Sequence, residues 1–243
     1  MKILNWDAYL WDCLEIMDSL IEQWIQVDAI ITDPPYWTTA CKWDQIIPFN
    51  KMWERLNKLI KPNGAIVLFG SEPFSSALRM SNIKMYKYDW VWDKKKWWNP
   101  LLSKIQPIKV TENILIFNSK IYHPQMVERD KPKYRGRNKW NISETTWNSF
   151  TENKVYTQKY PKNIIEISNA NQIWKVHPTQ KPVALIEYLV KTYTNKWEMV
   201  LDFTAWSFTT AIACENTNRK RICIEKDEWY YNIWINRVND DIK

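Results

Sequence analysis

Short apolar runs alternate with amphipathic stretches along most of this chain. VDAII (27–31), AIVLF (65–69), NILIF (113–117), MVLD (199–202) and RICIE (221–225) are nearly continuous in apolar and β-branched residues. That is the pattern of strands buried on both faces. Between them, FNKMWERLNKLI (49–60) sets Phe49, Met52, Trp53, Leu56, Leu59 and Ile60 on one helical face, and KPNG (61–64) reads as its stop. Helices are also predicted over 12–24, 72–80, 208–218 and 227–238, and within 177–193, where Pro182 suits a first turn. YKYDWVW (86–92) reads as a strand partner of 113–117, and NIIEI (163–167) as a further strand. Strands alternating with helices predict an α/β fold, its sheet mostly parallel and covered by helices on both faces. From 118 to 163 the periodicity fails, and Pro, Asn, Lys and Thr dominate. This stretch is expected to be a loop-rich insertion within one domain spanning 1–243.

Charge singles out the same middle region. The net charge is +7, yet residues 94–163 hold 15 Lys/Arg against 5 Asp/Glu, while the rest holds 19 against 22. The whole positive excess lies in one segment, as suits a polyanion-binding insertion, although a merely solvated basic surface has the same composition. No apolar run approaches the roughly 20 residues of a membrane span, and MKILNWDAYL lacks the layout of a signal peptide. A cytoplasmic protein with no membrane partner is expected. The four cysteines show no metal-ligand spacing, so reduced thiols and no metal site are expected.

Glycine and tryptophan usage changes the picture. The chain has 3 glycines and 17 tryptophans, where average usage of about 7% would give roughly 17 glycines. Trp6, Trp11, Trp24, Trp37 and Trp197 stand in LNWD, LWDC, EQWI, PYWT and NKWE, contexts where turn chemistry asks for glycine. Trp206, in DFTAWSFTT, lies between a predicted strand and a predicted helix, a turn that normally needs glycine to approach a ligand. Trp43, Trp53, Trp90 and Trp92 instead fall in helical or strand patterns where an aromatic packs well. UGA means tryptophan in one variant genetic code and glycine in another, so one codon reading would convert a whole subset of glycines. Trp97, Trp98, Trp174 and Trp234 are expected to join that subset, and Trp140, Trp147 and Trp229 carry no signal either way.

The candidate chemistry sits at strand ends. DPPY (33–36) follows a buried strand, where α/β folds bind ligands. Asp33 offers an anionic acceptor, Pro34 a carbonyl on stiffened backbone and Tyr36 a face for stacking. An exocyclic amine is a poor nucleophile because its lone pair is delocalised into the ring. Two acceptors gripping its N–H groups bias it toward a tetrahedral, nucleophilic nitrogen. DPPY as a plain rigid turn is the competing reading. VLDFTAWSFTTAIACE, with glycine at 206, reads as the strand, turn and helix of a nucleoside site, and Glu225 ends the next strand as a ribose-gripping acid does.

DPPY near the start, a basic insertion, HPTQKP (177–182) and then LDFTAWSFTT together resemble the circularly permuted β class of amino-directed DNA methyltransferases, the N6-adenine/N4-cytosine family. The resemblance covers nearly the whole chain and is weakest over 118–163. It implies a Rossmann-like sheet of seven strands and S-adenosylmethionine as cofactor. It assigns Asp33, Pro34, Pro35 and Tyr36 to the catalytic motif that holds a flipped base. It assigns Asp12, Lys181, Asp202, Phe203, Ala205, Trp206 and Glu225 to the cofactor, with Thr179 and Pro182 flanking its methionine end. For Lys181 a solvated position at a helix start is the plainer reading. The implied activity is methyl transfer to the exocyclic amine of a base in double-stranded DNA, with 118–163 as the target-recognition region. Adenine N6 is expected because Asp opens the motif, where N4-cytosine enzymes of this permutation more often have Ser. No metal is expected, since a sulfonium is already an activated methyl donor. Homodimer formation is left open. Methylation of RNA or of a glutamine side chain is served by related motifs, and the basic insertion favours duplex DNA. The departures from the family pattern are Trp11, Trp37, Trp206 and Phe208 at glycine positions. If those tryptophans are genuine, the resemblance implies an inactive DNA-binding protein of the same fold.

Overall fold

The computed structural model describes residues 7–37, 45–98, 103–135, 154–169 and 180–240. In chain order the elements are β1 (Asp7–Leu10), α1 (Cys13–Glu22), β2 (Val27–Thr32), α2 (Phe49–Leu59), β3 (Ile60–Gly70), α3 (Phe74–Ser81), β4 (Tyr86–Trp98) and β5 (Lys109–Phe117). There follow β6 (Val127–Arg135), β7 (Lys154–Lys159), β8 (Ile164–Glu166), α4 (Val183–Tyr193), β9 (Met199–Asp202), α5 (Thr209–Asn216), β10 (Lys220–Glu225) and α6 (Glu228–Asp240). The chain divides into two compact units, Met1–His123 with Asn163–Lys243, and Pro124–Lys162.

In the larger unit, the apolar runs lie side by side in one sheet of order β1-β10-β9-β2-β3-β5-β4-β8. Only β5 runs against its neighbours, pairing antiparallel with β3 and β4. Burial on both faces explains why these strands read as unbroken apolar runs. In β3, Ile66 and Leu68 face a layer holding Met17 and Leu20 of α1, Met52, Trp53, Leu56 and Leu59 of α2, and Phe74 and Leu78 of α3. Ala65, Val67 and Phe69 face the opposite layer, with Leu185, Leu189, Val190 and Tyr193 of α4 and Ala213 and Cys214 of α5. Helices therefore cover both faces, as the alternation of elements predicts.

Chain direction changes at one place. From β2 the chain builds outward through β3, whereas β9 starts on the other side of β2 and builds away through β10. Such a reversal leaves a crevice at the strands' carboxyl ends. Asp33 and Phe203, far apart in sequence, are the residues that immediately follow β2 and β9.

Several expectations need correction. Ile60 and KPNG do not end α2 as a turn but open β3, because Ile60 pairs with Val27 of the neighbouring strand. β1 has no apolar run to announce it and forms by parallel pairing with β10. The sheet has eight strands among the described residues rather than seven, because the three-residue β8 adds to the edge of β4. Trp234 is not at a turn. It sits in α6, 7% exposed, and stacks on Phe208 with ring centroids 5.2 Å apart. Trp53, Trp90 and Trp92 are buried core residues as expected. Trp229 lies exposed in α6. Trp6, Trp43, Trp140, Trp147, Trp174 and Thr179 lie outside the described residues, as do the side chains of Trp97 and Trp98. No described helix is long and apolar enough to cross a membrane.

The smaller unit is not all loop. β6 and β7 pair antiparallel, with Lys133 opposite Tyr156 and Tyr134 opposite Val155. Val127, Tyr134, Val155 and Tyr156 are all exposed. With no face buried there is no hydrophobic alternation to read, which is why this hairpin is invisible in the sequence.

Candidate active site

β2 and β9 are parallel neighbours, Ile30 opposite Leu201, so the segments that leave their carboxyl ends meet. Thr32 Oγ1 donates to Asp202 Oδ1 at 2.7 Å, and Thr204 Oγ1 donates to the Asp33 carbonyl at 3.1 Å. The Thr204 N–H also bonds Asp202 Oδ1 at 3.2 Å. Asp202 thus knits the two turns together. Burial pushes its carboxyl up to about 6, against the hydrogen bonds from Thr210 and Thr32.

Asp33 itself is held from two sides. Its Oδ1 accepts from the Tyr36 hydroxyl, and its Oδ2 accepts from Lys181 Nζ at 2.5 Å. Lys181 is 7% exposed, so its place before α4 is buried and not solvated. Its ammonium also lies 3.4 Å from Glu112 Oε2, and Lys94 Nζ bonds Glu112 Oε1 at 3.0 Å. The result is a buried row of alternating charge, Asp33, Lys181, Glu112 and Lys94. Burial pushes the Asp33 carboxyl above the usual range, with Lys181 pulling the other way. Burial works against the Lys181 charge, yet Asp33 and Glu112 hold it above the ordinary lysine range. For Glu112 burial is outweighed by Lys181 and Lys94, and its carboxyl stays low. Tyr36 packs on Phe74 with centroids 5.1 Å apart, and Lys181 Nζ lies 5.9 Å from the Tyr36 ring.

On the other side of the β9 turn, Glu225 ends β10 beside Leu10 of β1. Its Oε2 accepts from the Trp206 N–H at 2.7 Å and its Oε1 from the Asp227 N–H at 2.8 Å. Burial raises this carboxyl to about 7 despite those bonds. Asp12 caps α1 by accepting from the Leu14 N–H at 2.9 Å, and Lys226 Nζ lies 3.2 Å from its Oδ2. Phe203, Asp12, Pro35, Trp206 and Glu225 line a cavity of about 460 Å³. A second chamber, of about 20 Å³, is lined by Asp33, Lys181, Asp202, Ala205 and Trp206. Among the described residues no group of acidic, histidine and cysteine side chains can hold a metal.

The structure therefore brings Asp33, Lys181, Asp202 and Ala205 to one chamber, with Tyr36 bonded to Asp33 beside it, and Asp12, Pro35, Phe203 and Glu225 to the other. Trp206 and Thr204 line both. Pro34, between Asp33 and Pro35 in sequence, is buried. The Trp206 indole N–H donates to the Asp33 carbonyl at 2.7 Å, so the ring stands between the two chambers. The larger cavity suits a nucleoside, with a ring wall and two carboxylates. The smaller one holds about one water.

Sequence reasoning missed Glu112, Lys94, Thr32 and Thr204. Thr204 lies inside the DFTAW segment and was within reach of a motif argument. Glu112 was not. It sits at the polar start of an apolar run, and only the pairing of β5 beside β3 and β4 carries it to Lys181.

Comparison with known proteins agrees with this architecture. The type II methyltransferase M.HpaI of Haemophilus parainfluenzae is 27% identical over 239 residues, covering 88% of this chain and 69% of that protein. The crystal structure of the M1.HpyAVI-SAM complex superposes with a TM-score of 0.67 at 27% identity, over 96% of this chain and 98% of that one. PvuII DNA methyltransferase, described as cytosine-N4-specific, shares the fold at a TM-score of 0.65 and 17% identity, over 95% of this chain and 85% of that one. The profile of the N6/N4 methylase family, described as DNA methylase, matches residues 27–236, and the chain belongs to that family.

Proposed function

We propose that the protein methylates adenine N6 in double-stranded DNA, with S-adenosylmethionine as methyl donor. The observation that carries this reading is the placing of Asp33 at the β2 end, in a chamber that shares Thr204 and Trp206 with a nucleoside-sized cavity lined by Glu225. A base flipped out of the duplex presents its amine to two acceptors, Asp33 and the Pro34 carbonyl. Each accepts one N–H, which draws the nitrogen toward tetrahedral geometry and frees its lone pair. Tyr36 supplies a stacking face and fixes Asp33 Oδ1. Lys181 is a positioning residue, holding Oδ2 and keeping the carboxyl ionised against its burial, and Glu112 and Lys94 hold Lys181. Glu225 and Asp12 are the acceptors for a nucleoside in the larger cavity, with Phe203 as its wall. The donor's own contribution is a methyl group already activated as a sulfonium.

Adenine is preferred over cytosine N4 because the motif opens with Asp33, where N4-cytosine enzymes of this permutation more often have Ser. DNA binding falls to the basic segment within 118–163, where Lys133 lies on β6. Arg137 lies outside the described residues.

A second reading, an inactive DNA-binding protein, is favoured by one observation, the indole of Trp206 between the chambers. The test is nucleoside analysis of duplex DNA incubated with S-adenosylmethionine and the Trp206→Gly protein. N6-methyladenine is expected, and Asp33→Ala should reduce it on the order of 10²–10³-fold. N4-methylcytosine would shift the assignment to the other base. A folded variant that binds the donor and yields neither product would overturn the catalytic reading.

A further inference from the structure

Left-handed backbone crowds the Cβ of every residue except glycine, so another residue found there needs a compensating contact. Among the described residues, eight that are not glycine have positive φ, and four of these are tryptophans: Trp24 (57°), Trp37 (57°), Trp197 (69°) and Trp206 (48°). Asn118 and Asn218 are of the type that tolerates this region best after glycine, and Lys95 (52°) is tied by its N–H to Asp93 Oδ1 and by its ammonium to Glu166. Phe208 (55°) is fully buried and stacked on Trp234, so packing offsets its strain. The tryptophans differ. Trp24 and Trp197 are 92% and 68% exposed, and a large apolar ring turned to solvent offsets little; Trp37 is 75% exposed.

The glycines that remain do a different job. No described glycine has positive φ. Gly64 and Gly70 lie in β3, where an added Cβ would meet the Asp28 carbonyl oxygen at 2.5 Å and Ser75 Cβ at 3.1 Å. Among the described residues, tryptophan thus holds four of the eight left-handed positions and glycine none.

We infer that positions 24, 37, 197 and 206 are glycine positions of the functional protein, written as tryptophan because one codon carries both meanings in different genetic codes. Trp53, Trp90, Trp92 and Trp234 are genuine tryptophans, since each is buried in a core cluster. Trp11 stands apart from the first set, because its φ is not positive.

The consequence for the site rests on the proposed function and concerns position 206 alone. Removing that indole takes away the wall shared by the two chambers and frees the Asp33 carbonyl from its N–H. The backbone N–H at 206 still reaches Glu225, because that bond does not involve the side chain. A single groove then runs from Glu225, over Thr204, to Asp33. It suits a nucleoside at one end and an amino-acid-bearing sulfonium at the other.

Three measurements test the inference. In the gene, codons 24, 37, 197 and 206 should be identical to one another and different from those at 53, 90, 92 and 234; a mixed set overturns it. Trp24→Gly and Trp197→Gly should each raise the thermal midpoint by roughly 2–4 °C through relief of strain, whereas Trp92→Gly and Trp234→Gly should lower it. An unchanged or lowered midpoint at both 24 and 197 overturns it too. By calorimetry, Trp206→Gly should bind S-adenosylhomocysteine at least about tenfold more tightly than the chain with tryptophan, and equal affinity overturns the groove. Tight binding without methyl transfer counts against the proposed function and leaves the glycine assignment standing.

Discussion

Lys181 Nζ lies 2.5 Å from Asp33 Oδ2, across 148 residues of sequence. Both groups are almost enclosed, with side chains 8% and 15% exposed. In the proposed reaction a buried carboxylate that grips an amine is useful only while ionised. The ammonium is what opposes its desolvation.

Removing one or the other charged neighbour of Asp33 should move the pH dependence of methyl transfer in opposite directions. Lys181→Met takes away the positive charge, so the Asp33 carboxyl rises and the acidic limb of the kcat profile shifts to higher pH. Glu112→Gln takes away a negative charge that raises Asp33, so the limb shifts to lower pH. Both are measured in the Trp206→Gly protein. Losses of activity with no movement of the limb would show that these residues only support the fold.

Glu225 provides a second pH signature. Its carboxyl is held at about 7 by burial, and in the proposed role it must be ionised to accept from ribose hydroxyls at both oxygens. Calorimetric affinity for S-adenosylhomocysteine should therefore increase as pH rises through about 7, and Glu225→Gln should flatten that rise. Stability runs the other way. The folded state holds its proton above the ordinary value of 4.5, so this group's stabilisation is present below 4.5 and is lost as pH rises through about 7. Thermal midpoints measured across that range should show this fall, less steeply in the Gln variant.

Trp92 is fully buried, edge-on to Phe69, and its indole N–H donates to the Ile167 carbonyl at 2.8 Å. Trp92→Ala should cost about 3–5 kcal/mol in urea unfolding, from the cavity and the orphaned carbonyl. A change below about 1 kcal/mol would mean that the aromatic does not anchor this face.

For the basic segment, Lys133, Arg135 and Arg137 replaced together by alanine should weaken duplex binding. The slope of log affinity against log salt should drop by about 0.9 for each phosphate left without its cation. An unaltered slope in a binding titration would show these side chains to be solvated.

Much of this protein is written in local pattern. Strands with both faces buried must be apolar throughout, so β2, β3, β5, β9 and β10 announce themselves, and with them Asp33 and Glu225 at strand ends. The amphipathic α2 is legible for a similar reason, since Met52, Trp53, Leu56 and Leu59 have to share one face. Turn neighbours alone mark Trp24, Trp37, Trp197 and Trp206 as anomalous, because turn chemistry is local. What depends on distant partners was not legible. β1 exists because β10 offers it an edge, and β6 and β7 bury no face that could leave a period in the sequence. Trp234 reads like the suspect tryptophans until Phe208 is found stacked on it. Glu112 and Lys94 carry no motif, and the burial of Lys181 cannot be seen at a helix start. Only the antiparallel insertion of β5 between β3 and β4 aligns these charges on Asp33, because an ion pair is set by distance in space and leaves no periodic trace along the chain.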